Sequence, residues 1–253
     1  MRVTLHCGRE GNARHNDRTA TKFYLAPESG NLTWSWDAQI FSDAERHYYE
    51  RFKDGLEATN KRYLEQRHPE RVRKIEDLYT SSQTRPEEVI LQIGSAENAA
   101  EVGEKFASCV LDYVKRLMAW ANAHGEPFQI LDFAIHMDET SPHCHLRRVW
   151  QFRDDEGLLR PGQNQALREA GIPLPDPEKP EGRYNNRKMT FDRLARHLWQ
   201  EVCRSHGFEI ETDPRPERRR HKSVKDFKRE QQEQREQLSQ KEAWRRWEEE
   251  RSR

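Results

Sequence analysis

The chemistry in this chain is concentrated between residues 136 and 145, where three of its eleven histidines stand, at His136, His143 and His145. With the two-residue period of a β-strand, Asp132, Ala134 and His136 share one face, and Leu131, Phe133 and Ile135 share the other. After a turn at Thr140, Ser141 and Pro142, the return strand would put His143, His145 and Arg147 on one face. Cys144, Leu146, Trp150 and Phe152 would share the opposite, apolar face, with Arg148 a misfit among them. A hairpin of this kind brings three neutral imidazoles together on its polar face. Three imidazoles on a rigid face suit a divalent transition metal with positions left open for substrate oxygens. A structural zinc would want a fourth ligand; Cys144 has the wrong parity for it, and Glu139 or Asp138 remain candidates.

The elements that position this hairpin follow from pattern. A short strand is expected at 2–6, β-prone segments at 22–25 and 32–36, and a long helix over 43–65. Pro69 punctuates that helix, and a second helix covers 70–79. A strand at 88–93 ends in Gly94, and Ser95 is placed to cap the next helix. That helix carries Val102, Phe106, Val110, Leu111, Val114, Leu117 and Met118 at helical spacing and stops at Gly125. The strands at 130–152 come next, then a segment at 154–185 rich in Pro, Gly and charge, read as a long insertion loop. A last amphipathic helix at 187–206 carries Phe191, Leu194, Leu198 and Val202. The expected architecture is α+β, a mainly antiparallel sheet with helices packed on one face. It is expected to occupy residues 1–213, with 214–253 a charged helical extension that is solvated or meets a partner.

Composition sets bounds. Charged residues make up 35% of the chain and hydrophobic ones 34%, which suits a modest core under much solvated surface. The apolar stretches are short and broken by charge, so no membrane span is expected. The first residues lack the apolar run of a secretory signal. Four scattered cysteines form no CxxC pair. A cytoplasmic protein is the expectation. The formal net charge of zero does not exclude nucleic acid, because phosphate contacts need only a local basic surface. Arg14, Arg18 and Lys22 form one such cluster, and Arg215, Arg218, Arg219, Arg220, Lys222 and Lys225 another.

The ten residues from His136 to His145 match the HxDExxPHxH motif of the MobV (Pre/Mob) plasmid mobilisation relaxases, HUH endonucleases, and His15, Asn16 and Arg18 match their HNxR motif. The chain resembles that family, and the likeness extends through Trp34 to about Lys228. It departs from the family in Leu146, Arg147 and Arg148 after the second motif, in Trp34 where the family has Tyr, and in a longer 154–183 segment.

The resemblance implies an HUH relaxase fold and site- and strand-specific nicking and rejoining of DNA at a transfer origin, through a covalent 5′-phosphate intermediate. It implies one Mn²⁺ or Mg²⁺ on His136, His143 and His145, with Zn²⁺ or Ni²⁺ able to bind in vitro. His15 becomes the nucleophile, Arg18 a phosphate contact, and Glu139 or Asp138 the group that orients or deprotonates His15. Without the family, Tyr48, Tyr49 and Tyr63 would be the nucleophile candidates. Expected DNA contacts are Asn16, Trp34 (stacking on a base, or else a core residue), Arg85, His124 and Arg147. The DNA partner is an origin hairpin with adjacent single strand, and the C-terminal helix is an arm for a second copy or the mobilisation machinery. Three other readings stand beside this one. They are a tyrosine-using replication initiator or transposase, a non-cleaving DNA-binding relative, and a structural metal site in an unrelated interaction protein.

Overall fold

The computed structural model describes residues 1–7, 13–16, 32–35, 40–137, 139, 141–211 and 229; of 13–14, 32–35, 40–46, 96 and 104 it describes the backbone alone. Arg18, Asp138, the segment expected as a strand at 22–25, and the charged extension apart from Arg229 lie outside the described residues. The chain divides into two compact units, Met1–Glu211 and Thr212–Arg253.

In the first unit the strands are β1 (Val3–Cys7), β2 (Leu32–Ser35), β3 (Glu87–Ile93), β4 (Phe128–His136), β5 (His143–Arg153) and β6 (Leu159–Pro161). The helices are α1 (Ala13–Asn16), α2 (Ile40–Glu65), α3 (Ile75–Thr80), α4 (Ala99–Ala123), α5 (Gln163–Glu169) and α6 (Arg187–Ser205). The main sheet is antiparallel in the order β1-β3-β5-β4-β2, and β6 pairs with the far end of β5. The histidine-bearing hairpin β4–β5 is thus at its centre, braced by β3 on one side and β2 on the other. The expected α+β, antiparallel architecture holds.

Helices α4 and α6 lie together over one face. Val102, Phe106, Cys109, Val110, Tyr113 and Leu117 of α4 meet Phe191, Ala195, Trp199 and Val202 of α6 and the apolar sides of β3, β4 and β5. Each large side chain buried there contributes about 1.5–3 kcal/mol by transfer from water. The expected stripes of both helices differ in detail. Leu111 is exposed, since the stripe runs through Cys109 and Tyr113 instead. On α6 the buried line runs through Ala195 and Trp199, with Leu194 and Leu198 half-buried beside it. A smaller cluster of Tyr48 and Phe52 from α2 with Leu131 and Val149 forms separately, so α2 covers the other face.

Leu131 joins that second cluster because β4 is irregular. Its register with β5 shifts between Ile130 and Asp132. A bulge adds one residue and reverses the parity of the strand. Phe128 and Ile130 before it and Phe133 and Ile135 after it therefore all face the α4–α6 core, while Leu131 does not, contrary to simple alternation.

Two other expectations change. The helix expected at 70–79 is a single 3-10 turn at Pro69–Arg71 followed by α3, because the backbone extends at Val72. The segment at 154–185 is no bare loop. It folds back as β6 on β5 and as α5, whose Ala166 and Leu167 are buried in the main core. Gly125, with φ of +78°, ends α4 as expected, in a conformation that glycine adopts without a Cβ clash.

Arg148, the misfit of the sequence, does face the core and is 1% exposed. Glu87 accepts hydrogen bonds from its Nε at 3.0 Å and a terminal nitrogen at 2.9 Å. The rings of Trp150, Phe191 and Phe128 lie 4.7, 4.9 and 5.4 Å from the guanidinium carbon. Lys188 adds a second cation 2.8 Å from Glu87. Burial pushes the Glu87 carboxyl up, but Arg148 and Lys188 outweigh it and hold it at about 2.

Candidate metal centre

Strand pairing builds the polar face. His136 is opposite His143, Ala134 opposite His145, and Asp132 opposite Arg147. On the other side β3 places Gln92 opposite His143, Ile90 opposite His145 and Glu88 opposite Arg147. Gln92 Nε2 donates to Ser141 Oγ at 3.0 Å and so braces the hairpin turn. The result is three imidazoles with ring centroids 5.0–5.2 Å apart.

A fourth imidazole joins them from far away in sequence. His15 on α1 lies with its ring centroid 5.0 Å from those of both His136 and His145. One ring nitrogen from each of His15, His136, His143 and His145 falls within 4.8 Å of the others. Glu139 Oε1 stands among them, 3.5 Å from His15 Nε2, 3.9 Å from His136 Nδ1 and 4.0 Å from His143 Nε2.

The donor set fits a metal ion by a test on protons. His136 Nε2 lies 3.0 Å from the Asn16 carbonyl oxygen, which only accepts, so Nε2 carries the proton and Nδ1 keeps its lone pair. His143 Nδ1 lies 3.0 Å from the Ser141 carbonyl oxygen, which leaves the lone pair on Nε2. His145 Nδ1 faces Glu88 Oε1 at 3.2 Å, which favours the tautomer protonated there. Its Nε2 is buried and has no hydrogen-bond partner among the described residues, and Nδ1 meets Glu88 as a close contact without hydrogen-bond alignment. Fixing the outer nitrogen of each ligand in this way is how metal-bound histidines are held.

Glu88 is the site residue that the sequence reading missed, taken there only as the start of a strand. Burial pushes its carboxyl up, yet His145, Asn16 and Arg147 hold it below the usual carboxylate range. The signal was present in the alternation of 88–93, where Val89, Leu91 and Ile93 take the core face and Glu88 the other.

Several expected DNA contacts are placed otherwise. Asn16 is fully buried and donates to Glu88 Oε1 at 2.9 Å, so it faces inward. Arg147 is 4% exposed and donates from Nε to both Asp132 oxygens, at 2.8 and 3.1 Å; it stiffens the hairpin instead of meeting solvent. His124 is exposed but stacks on Trp120 at 4.3 Å. It precedes Phe128, at the opposite end of β4 from His136, roughly 25 Å away at about 3.3 Å per residue. Arg85 lines a separate cavity with Trp150 and Gln163, beyond the end of β3 that is remote from Gln92. Trp34 lies in β2 in register with the core residue Phe133; its side chain is outside the described residues.

Among the tyrosine alternatives, Tyr48 is buried in the α2 cluster and donates to the Thr84 carbonyl at 3.1 Å. Tyr49 packs near Tyr79, and Tyr63 lines a surface groove with Arg62, Arg71 and Arg73. Tyr48 is thus engaged in a packed cluster apart from the four histidines.

No protein-family profile and no curated protein matches the chain. Among solved structures, the relaxase domain of MobM (MOBV; Mob_Pre), a manganese-bound crystal structure with plasmid oriT DNA, aligns over 90% of this chain and 99% of its own. The sequence identity is 16% and the TM-score 0.50. A second structure of that domain aligns over 90% and 100%, at 17% identity and a TM-score of 0.46. In fold, this chain is similar to the MobV relaxase domain.

Proposed function

We propose that this chain is a metal-dependent DNA relaxase of the MobV type, which nicks and rejoins one strand through a covalent 5′-phosphate on His15. The observation that supports it most is the convergence of His15 with His136, His143, His145 and Glu139, since two separated segments meet with the donors such chemistry requires. The nuclease unit is the first, and the arginine-rich extension from 214 adds affinity for DNA or a partner. No helix among the described residues is long and apolar enough to cross a membrane.

His136 Nδ1, His143 Nε2 and His145 Nε2 would hold Mn²⁺ or Mg²⁺. The ion would polarise the scissile phosphate and offset the charge developing on its oxygens. His15 attacks phosphorus; the P–N bond forms as the P–O3′ bond breaks. One proton passes overall from the imidazole to the departing 3′ oxygen. Glu139, 3.5 Å from His15 Nε2, is within reach to accept the imidazole proton. Arg18, two residues beyond Asn16, is the proposed phosphate clamp.

His143→Ala is expected to lose manganese binding, measured by isothermal titration, and all cleavage of an oriT-like oligonucleotide, while its circular dichroism stays that of the parent. Zn²⁺ and Ni²⁺ should bind the parent more tightly than Mn²⁺ because the donors are imidazoles, so affinity and activity rank metals differently. Nicking by His143→Ala in the presence of chelator would end the metal reading.

Affinity for a hairpin with an adjacent single strand should exceed that for random duplex and fall steeply with salt, because phosphate contacts release counterions. Removal of 214–253 should weaken that affinity, read by fluorescence anisotropy, and leave metal uptake intact. Equal affinity for both DNAs at physiological salt would count against a relaxase.

One observation favours a second reading. His15 stands as near to His136 and His145 as the hairpin imidazoles stand to each other, so it has the position of a fourth metal ligand in a closed structural site. The metal affinity of His15→Ala separates the two: a nucleophile can be removed without loosening the ion, and a ligand cannot.

A further inference from the structure

The turn that carries His15 is tied to two of the metal-site histidines by the residue that follows it. The main-chain oxygen of Asn16 accepts from His136 Nε2 at 3.0 Å. Its side-chain amide donates to Glu88 Oε1 at 2.9 Å, and that same oxygen faces His145 Nδ1 at 3.2 Å. Asn16 and Glu88 are 0% and 6% exposed, so neither link competes with bulk water. The amide must present its nitrogen to the carboxylate, which leaves Asn16 Oδ1 buried with no hydrogen-bond partner among the described residues. A buried amide oxygen without a partner is costly, and the arrangement is kept only if the opposite end of the amide has work to do.

We propose that Asn16 and Glu88 are positioning residues that couple occupation of the metal site to placement of His15. This rests on the metal reading given above. An ion on His145 Nε2 would draw the Nδ1–H onto Glu88, now a 3.2 Å contact without hydrogen-bond alignment, and an ion on His136 Nδ1 would strengthen the Nε2–H bond that holds the Asn16 carbonyl. Both effects tighten the turn next to the reacting imidazole. Linkage then requires the converse: whatever factor the ion adds to the order of the turn, the ordered turn adds to affinity for the ion. A site without metal holds its nucleophile loosely, and a loaded site holds it in place.

The test is manganese titration combined with amide hydrogen exchange over residues 13–16, in the full chain. In the parent, Mn²⁺ should slow exchange in this segment. In Glu88→Ala, manganese affinity should fall roughly 10–100-fold, the usual cost of losing the partner behind a metal-bound histidine. At saturating Mn²⁺ the slowing over 13–16 should be mostly lost. Glu88→Gln, which fills the same volume and keeps an oxygen acceptor, should recover part of both. Asn16→Ala keeps the main-chain link to His136 and cuts the one to Glu88. It should weaken metal binding by the same factor by which it weakens the protection. A residue serving only the fold would not make exchange at 13–16 depend on metal. If the parent binds Mn²⁺ but exchange over 13–16 is unchanged by it, or if Glu88→Gln and Asn16→Ala keep both parent affinity and protection, the coupling is wrong and the metal site stands. A parent that binds no Mn²⁺ in the first titration overturns both.

Discussion

His15→Ala is expected to lose all covalent adduct with a nicked oligonucleotide, a drop beyond the detection range of a gel assay, while binding Mn²⁺ within a factor of a few of the parent. The argument starts from the ring positions. His136, His143 and His145 each turn one nitrogen outward to a fixed acceptor and the other inward, whereas His15 Nε2 lies 3.5 Å from Glu139 Oε1, itself on the inner side. An imidazole beside a carboxylate and a metal site is equipped to attack a phosphate held there. Its product is a phosphoramidate, which acid hydrolyses and alkali spares. Brief acid should therefore release the trapped DNA. Adduct formation should persist in Tyr48→Phe, Tyr49→Phe and Tyr63→Phe, since the proposed nucleophile is the His15 imidazole and not a hydroxyl. An acid-stable adduct mapped to a tyrosine peptide would refute the assignment. Loss of manganese affinity in His15→Ala would instead favour the closed four-histidine site.

The second large effect is on stability. Glu87→Ala should cost about 3–5 kcal/mol, because it leaves Arg148 buried against aromatic rings with no carboxylate opposite it and takes from Lys188 one of two anionic partners. For a unit of this size, about 2–4 °C of melting temperature goes with each kcal/mol. A fall in melting temperature of only a degree or two would mean that the aromatic rings alone satisfy Arg148. The same carboxylate makes a contribution with a definite pH window. Its folded-state pKa of about 2 lies below the ordinary carboxylate value, so the stabilisation is fully present above about 4.5 and is lost as pH falls toward 2. Acid unfolding of Glu87→Gln should accordingly be shallower than that of the parent across this interval.

How much of this was legible in the sequence differs by the range of the interaction. The hairpin, its three inward histidines and the strand before α4 were legible because alternation and turn residues are local, and register follows from a short connection. The convergence of His15 with His136 joins residues 121 positions apart, and no periodicity reports it; only the resemblance of two motifs pointed there. Asn16 and Arg147 were misassigned for a common reason. Both are polar residues in or beside a motif, and sequence does not say whether such a residue meets a ligand or a buried partner such as Glu88 or Asp132. His124 was offered from its likeness to a family position, although its place before β4 already sets it at the strand end opposite His136. The bulge left no trace at all, since Ile130, Leu131 and Asp132 contain neither glycine nor proline.

That bulge has a consequence for how β4 tolerates change in length. The strand carries two frames of alternation, even-numbered residues toward the core before Leu131 and odd-numbered residues after it, with Leu131 as the supernumerary step between them. A version of this chain lacking Leu131 would pair Ile130 and Asp132 as ordinary neighbours and still present His136 to the same side. Loss of Ala134 would use up the extra residue too and keep Phe128, Ile130, Ile135 and His136 on their sides, but it would turn Phe133 out of the core and Asp132 into it. Gaps in β4 are therefore not equivalent: one at the bulge leaves both halves of the strand where they are, and one beyond it inverts the residues in between.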